Sequence, residues 1–187
     1  MMSLNKHQKP ARPLLQKFAN RAKNLDFGPI AYKLMANGWT REQTIKAIGL
    51  YLMFLGLIYL YPNRQIIPTP EIDAVWHQHI LDTSKYAEDC DRLFGRFVHH
   101  FPYFGQRGES DRDNLYLAFA ETKTLFQEYF GVELLAQTQS NSDEEETTPQ
   151  PADCEPLGDS KADRPRVELD FAEVWAALPG DRGELVG

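Results

Sequence analysis

The longest apolar run of the chain is the feature that most constrains its fold. It extends over the 15 residues from Ala47 to Tyr61 without a single charge, which is shorter than the roughly 18 to 20 residues that span a bilayer. A capping-box pair, Thr40 and Gln43, precedes the run, and Pro62 follows it. The run therefore predicts a helix buried in the core of a helical domain, and the alternative is a membrane hairpin.

Start and stop signals predict further helices on both sides of this run. Before the run, they predict a basic amphipathic helix that begins near Pro13 and a helix from Gly28-Pro29 to Asn37-Gly38. After the run, they predict a helix that begins at Thr69-Pro70-Glu71 and another that begins at Asp82-Thr83-Ser84 and ends at Gly95. The last predicted helix extends from Ser110 to Phe130-Gly131. The sequence thus predicts an all-α fold, a single compact helical domain of about six helices over residues 1–136.

Residues 137–187 differ abruptly from the rest in composition. The segment from Thr138 onward carries a net charge of -9, whereas the remainder is close to neutral at +2. Too little apolar surface remains there to offset chain entropy, so a disordered acidic C-terminal tail is predicted. An apolar set within residues 169–178 predicts a short helix that docks either on a protein partner or back onto the domain.

The N-terminus and the cysteines limit the classes of function. Six basic residues precede the first acid, which indicates either a helix packed on the core or a site for an anionic partner such as RNA or a membrane surface. The chain contains only Cys90 and Cys154. A disulfide framework is therefore not expected, and a cytoplasmic location fits best.

Four of the five histidines lie within 24 residues of one another, and they form the most unusual feature of the composition. On a helix, Asp73 and His77 share a face, so the carboxylate would orient the imidazole. His79 lies about 200° around the helix from His77, so the two cannot bind one ion from a regular helix. The easier metal-ligand set combines one of these two histidines with Cys90 and a loop histidine, His99 or His100.

Two other interpretations of this segment remain open at this stage. In the first, Tyr86, Cys90 and Phe94 form one buried stripe, and the histidines hydrogen-bond across a helix junction. In the second, Cys90 and a histidine form a nucleophile and base pair, although no third orienting group is evident. The segment has no zinc-finger spacing, and the chain contains no HExxH motif or phosphate-binding glycine loop.

The same segment resembles a known family. Three stretches resemble the signature of the glycine-rich domain-containing protein-like family. They are Asp73-Ala-Val-Trp-His-Gln-His-Ile-Leu81, Tyr86-Ala-Glu-Asp-Cys90 and Leu93-Phe-Gly95. The resemblance implies functional importance for Asp73, Trp76, His77, His79, Tyr86, Asp89 and Cys90, and it implies no particular reaction. Long plant members carry a C-terminal glycine-rich region, where this chain has an acidic tail.

Three functional classes follow from these observations. The first is a cytosolic interaction or ligand-binding module whose C-terminal tail binds a protein partner. The second is a metal-dependent enzyme that holds zinc, iron or copper through His77, His79 or Cys90 together with a loop histidine such as His100. The third is RNA binding through the basic N-terminus, against which the near-neutral body and the acidic tail both count.

Overall fold

The computed structural model describes residues 11–134 and 163–177. Within these two ranges the chain forms seven α-helices and no strand. In chain order they are α1 (Ala11–Ala22), α2 (Gly28–Ala36), α3 (Arg41–Leu60), α4 (Pro70–Leu81), α5 (Thr83–Phe94), α6 (Glu109–Phe130) and α7 (Phe171–Ala176). The all-α prediction is confirmed for the described residues.

Helix α3, which contains the apolar run, is the central element. It packs against α1, α2, α4, α6 and α7. Ile48, Phe54 and Leu57 on this helix are completely buried, and burying one such side chain stabilises a fold by about 1.5–3 kcal/mol. By length and composition α3 is also apolar enough to cross a membrane, but 72% of its apolar window is buried inside the domain. Packing within the protein therefore accounts for its composition.

The basic N-terminal helix α1 packs on α3. Leu15 and Phe18 are buried, and the approach is close enough that a Cβ atom on Gly56 would lie 3.4 Å from the Phe18 ring. The Arg21 Nη1 atom donates a hydrogen bond to the Leu93 carbonyl at 2.8 Å. Part of the basic character of this helix is therefore used to hold α5, and binding of RNA by the N-terminus stays a prediction.

Predicted capping residues set the geometry of α4 and α5. The Thr69 hydroxyl accepts a hydrogen bond from the Ile72 amide at the start of α4, and the Asp82 carboxylate accepts one from the Lys85 amide at the start of α5. Asp82 alone separates the two helices, and Gly95 ends α5 in the left-handed conformation at φ 66°. The segment that carries the histidines is therefore two short helices with a sharp corner between them.

Helix α7 lies within the range 169–178 that the sequence predicts to be helical. Residues 163–177 run along the domain, and α7 contacts α3. Of the two predicted docking modes, the structure shows the one in which this segment folds back onto its own domain. The other parts of the predicted disordered tail, residues 137–162 and 178–187, lie outside the described residues.

Candidate metal centre

His77 and His79 face opposite sides of α4. The His77 side chain is 51% exposed, whereas the His79 side chain is 2% exposed. A separation of two residues turns a regular helix by about 200°, so one histidine must face solvent when the other faces the core. The two residues consequently belong to different groups of side chains.

On the exposed side, His77 meets Asp73 and His100. The Nε2 atoms of His77 and His100 lie 3.3 Å apart. His100 Nε2 is 3.1 Å from Asp73 Oδ1, and His77 Nε2 is 3.5 Å from Asp73 Oδ2. Among the described residues, these three side chains form a group whose potential metal-ligand atoms all lie within 4.8 Å of one another.

Tyr86 and Trp76 fix the loop that brings His100 to α4. The Trp76 indole donates to the Tyr86 hydroxyl at 2.9 Å, and that hydroxyl donates to the Val98 carbonyl at 2.6 Å. The Trp76 ring also packs edge-on against the His100 ring, with centroids 4.6 Å apart. Because Trp76 and Tyr86 are both buried, these contacts connect α4, α5 and residues 98–100 through rigid side chains.

On the buried side, His79 lies in a hydrogen-bonded network that spans three helices. Its Nδ1 atom is 3.0 Å from the Tyr51 hydroxyl, and its Nε2 atom is 3.0 Å from Asp89 Oδ2. The Lys85 ammonium also donates to Asp89 Oδ2. These contacts match the interpretation in which a histidine hydrogen-bonds across a helix junction.

The pKa shifts of His79 and Asp89 indicate which of the two side chains is charged. Burial lowers the pKa of His79, although the hydrogen bond to Asp89 opposes that shift. Burial alone would raise the pKa of Asp89, but the hydrogen bonds from His79 and Lys85 outweigh it and lower the pKa. His79 is therefore neutral: its Nε2–H donates to the Asp89 carboxylate, its Nδ1 accepts from Tyr51, and Lys85 balances the charge.

Cys90 and His99 lie apart from the exposed cluster. Cys90 is 2% exposed, faces Tyr86 and the Val98 backbone, and has a pKa raised by burial. It is a protonated thiol in the core, as the buried-stripe interpretation predicts. His99 is exposed and packs against the Phe97 ring. The structure thus groups two of the four predicted metal ligands, His77 and His100, and places His79 and Cys90 elsewhere.

Asp73 contacts His77, as the sequence predicts, and it also contacts His100. One carboxylate oxygen, Oδ2, lies 3.5 Å from His77 Nε2, and the other, Oδ1, lies 3.1 Å from His100 Nε2. The spacing of four residues to His77 indicates the shared helical face, but the contact with His100 depends on the path of a loop. No periodic pattern in residues 95–108 predicts that path.

The fold and this cluster define a small helical domain with a surface site of two histidines and one aspartate. Residues 39–120 match the UCP032817-like family. Glycine-rich domain-containing proteins 1 and 2 of Arabidopsis thaliana are each 30% identical over 90 residues, which cover 46% of this chain and 11% of each relative. These matches confirm the resemblance to the glycine-rich domain-containing protein-like family, at low identity. No solved structure matches the chain.

The extent of these matches limits what they imply. The chain spans about a tenth of the length of the two plant relatives, and their names specify no reaction, substrate or partner. The matched residues 39–120 include α3, α4, α5 and the loop that carries His100. The similarity therefore covers the candidate site and specifies no activity for it.

Proposed function

We propose that this domain binds one divalent transition-metal ion through Asp73, His77 and His100 and presents it to an exchangeable ligand. The convergence of the three ligand atoms carries the proposal. Donor atoms at about 2.0–2.1 Å from a tetrahedral ion lie about 3.3 Å from one another. The two histidine nitrogens are 3.3 Å apart, and the carboxylate approaches them at similar distances through different oxygens, His100 at 3.1 Å through Oδ1 and His77 at 3.5 Å through Oδ2.

The chemistry of the donors favours zinc or ferrous iron. Imidazole nitrogen and carboxylate oxygen suit divalent ions of intermediate softness. Cys90 is not among the donors, so the thiolate that would favour monovalent copper is missing from the site. Two histidines and one carboxylate are also a donor set that iron and zinc use when other coordination positions stay open.

The exposure of the site favours ligand binding over a purely structural role. Structural zinc sites are closed by four protein ligands, whereas three protein ligands leave a position for water or another molecule. The His77 and Asp73 side chains are 51% and 34% exposed, so the open position would face solvent. His100, at 18% exposure, is held from the protein side by Trp76.

Titration of the full chain, purified without a histidine tag, with zinc chloride tests this proposal. We expect one equivalent to bind, and we expect His77→Ala and His100→Ala to weaken the affinity by at least about 100-fold, since outer-sphere partners alone are worth 10–100-fold. His99→Ala is the matched control, because His99 is exposed, adjacent to His100 and outside the cluster. Equal zinc affinity in the wild-type and His100→Ala proteins would contradict the proposal.

A further inference from the structure

Residues 163–177 lie on the domain as an extended segment followed by α7. The Val167 amide donates to the Gly28 carbonyl at 3.1 Å. Pro165 separates Arg164 from Arg166, and a residue that precedes proline is restricted to extended conformations. The segment therefore presents two arginines on a stiff backbone before α7 begins.

The charges of the segment are complementary to those of the domain. Arg164 Nη2 donates to Asp82 Oδ1 and to Ser84 Oγ, each at 2.9 Å. Arg166 pairs with Asp26 at 3.1 Å. Each arginine thus meets an acidic residue at a helix start, Asp82 before α5 and Asp26 before α2.

Helix α7 reverses this polarity, with an acidic residue on the segment and a basic one on the domain, and adds an apolar anchor. Glu173 pairs with Arg41, at the start of α3, at 2.8 Å. Val174 is 1% exposed, and the Phe171 and Trp175 rings stack with centroids 5.7 Å apart. The three ion pairs and the anchor specify both the direction and the register of the segment.

At Gly28 the backbone of the segment approaches the domain so closely that no side chain would fit between them. A Cβ atom at this position would lie 2.6 Å from the Val167 carbonyl oxygen, which is closer than atoms can approach. Gly28 is the first residue of α2, where alanine is also well tolerated by a helix. A methyl group at this position would therefore block the segment, whereas its nearest contact within the domain is the partly exposed Asp26 side chain, at 3.1 Å.

The attachment has the properties of an exchangeable contact. The side chains of the Arg166–Asp26 and Arg41–Glu173 pairs are 40–50% exposed, and exposed ion pairs contribute little to stability. Helices as short as α7 are unstable alone. The Trp175 Nε1 atom is buried without a hydrogen-bond partner among the described residues, which weakens the docking further.

We propose that the surface covered by residues 163–177 is a peptide-docking surface, occupied in this chain by an exchangeable internal ligand. The ligand it fits is an extended Arg-x-Arg-apolar segment that continues into a short helix with an acidic and an apolar residue side by side, like Glu173 and Val174. A protein that carries this pattern would displace the internal segment. The inference is independent of the metal proposal, because none of these contacts involves Asp73, His77 or His100.

Binding of a labelled peptide of residues 163–177 to the full chain, followed by fluorescence anisotropy, tests this inference. The receptor is a released variant, Arg164→Glu with Val174→Asp, whose own segment can no longer dock. We expect 1:1 binding to this variant, on the order of 10-fold or more tighter than to wild type, because the tethered segment competes at high effective concentration. Adding Gly28→Ala to the released variant should abolish binding.

A mutated peptide and a second receptor variant serve as controls for this experiment. A peptide that itself carries Arg164→Glu and Val174→Asp should not bind. If the released variant fails to unfold cooperatively, Arg164→Ala alone serves as the receptor, since it removes one ion pair and leaves the Asp82 cap in place. Absence of peptide binding to a folded released variant, or binding that Gly28→Ala leaves unchanged, would overturn the inference.

Discussion

The two faces of α4 place the same residue type in opposite environments. His77 faces solvent in a cluster of three potential ligands, and His79 faces the core in a network with Tyr51 and Asp89. The exposed cluster can accept a metal ion because its donors converge and remain accessible. The buried network cannot, because each His79 nitrogen already has a protein partner. Helix phase therefore places one histidine at the surface, where the proposed metal ion would bind, and the other in a buried hydrogen-bonded network.

The largest expected effect is on the buried side. His79→Ala should lower the free energy of unfolding by about 3–5 kcal/mol, because it leaves Asp89 buried with one partner fewer and opens a cavity. His77→Ala, on the exposed side, should change it by about 0.5 kcal/mol or less. Urea unfolding of the metal-free variants measures both values. Similar losses of unfolding free energy for the two variants would contradict the difference between the buried His79 and the exposed His77.

The next largest effect is the increase in the free energy of unfolding when zinc binds. Zinc at 100 times its dissociation constant should stabilise the wild-type protein by about 2.7 kcal/mol, and His100→Ala should lose this increment. His99→Ala should retain it. Thermal unfolding with and without zinc is the measurement, and an increment that persists in His100→Ala would place the zinc at another site.

Tyr86→Phe tests whether the buried Tyr86 hydroxyl positions the loop that carries His100. The hydroxyl accepts from Trp76 and donates to Val98, so its removal leaves a buried indole and a buried carbonyl unpaired, at a cost of about 1–3 kcal/mol. Because Val98 leads into His100, the variant should also bind zinc more weakly. Titration and urea unfolding of the same preparation give both values; unchanged zinc affinity would show that the loop is held by other contacts.

The smallest effect is expected at Asp82, which is half-buried at the corner between α4 and α5. A hydrogen bond from Arg164 lowers the pKa of Asp82. Its contribution to docking of residues 163–177 is therefore complete above its ordinary pKa of about 3.9 and is lost as pH falls through the lowered value. Hydrogen exchange of the Val167 amide between pH 5 and pH 2.5, corrected for the intrinsic rate, should show reduced protection at the acidic end. Asp82→Asn, which retains a capping oxygen, should weaken this dependence.

Local signals in the sequence predict most of the helical framework. The Thr40 and Gln43 capping box, Thr69 and Asp82 all cap the helices where their patterns indicate, because capping depends on residues within one turn. The helix at Phe171–Ala176 follows from its apolar spacing. These features are predictable since their causes lie close together in the chain.

The site is less predictable because the contacts that form it join residues far apart in the sequence. Helix phase shows that His77 and His79 face apart, but which of them is buried depends on Tyr51 of α3. The approach of His100 to Asp73 depends on the Trp76, Tyr86 and Val98 contacts, which join residues from two helices and a loop. Proximity in sequence groups Cys90 with the histidines, whereas the fold turns its thiol into the core.

Elemental analysis of the full chain, purified without a histidine tag and reconstituted with zinc, shows whether Asp73, His77 and His100 hold a metal ion. We expect about one equivalent of metal in the wild-type and His99→Ala proteins and none in a His77→Ala, His100→Ala double variant that remains folded. Metal-free wild-type protein after reconstitution, or full retention of metal by the double variant, would contradict the proposal.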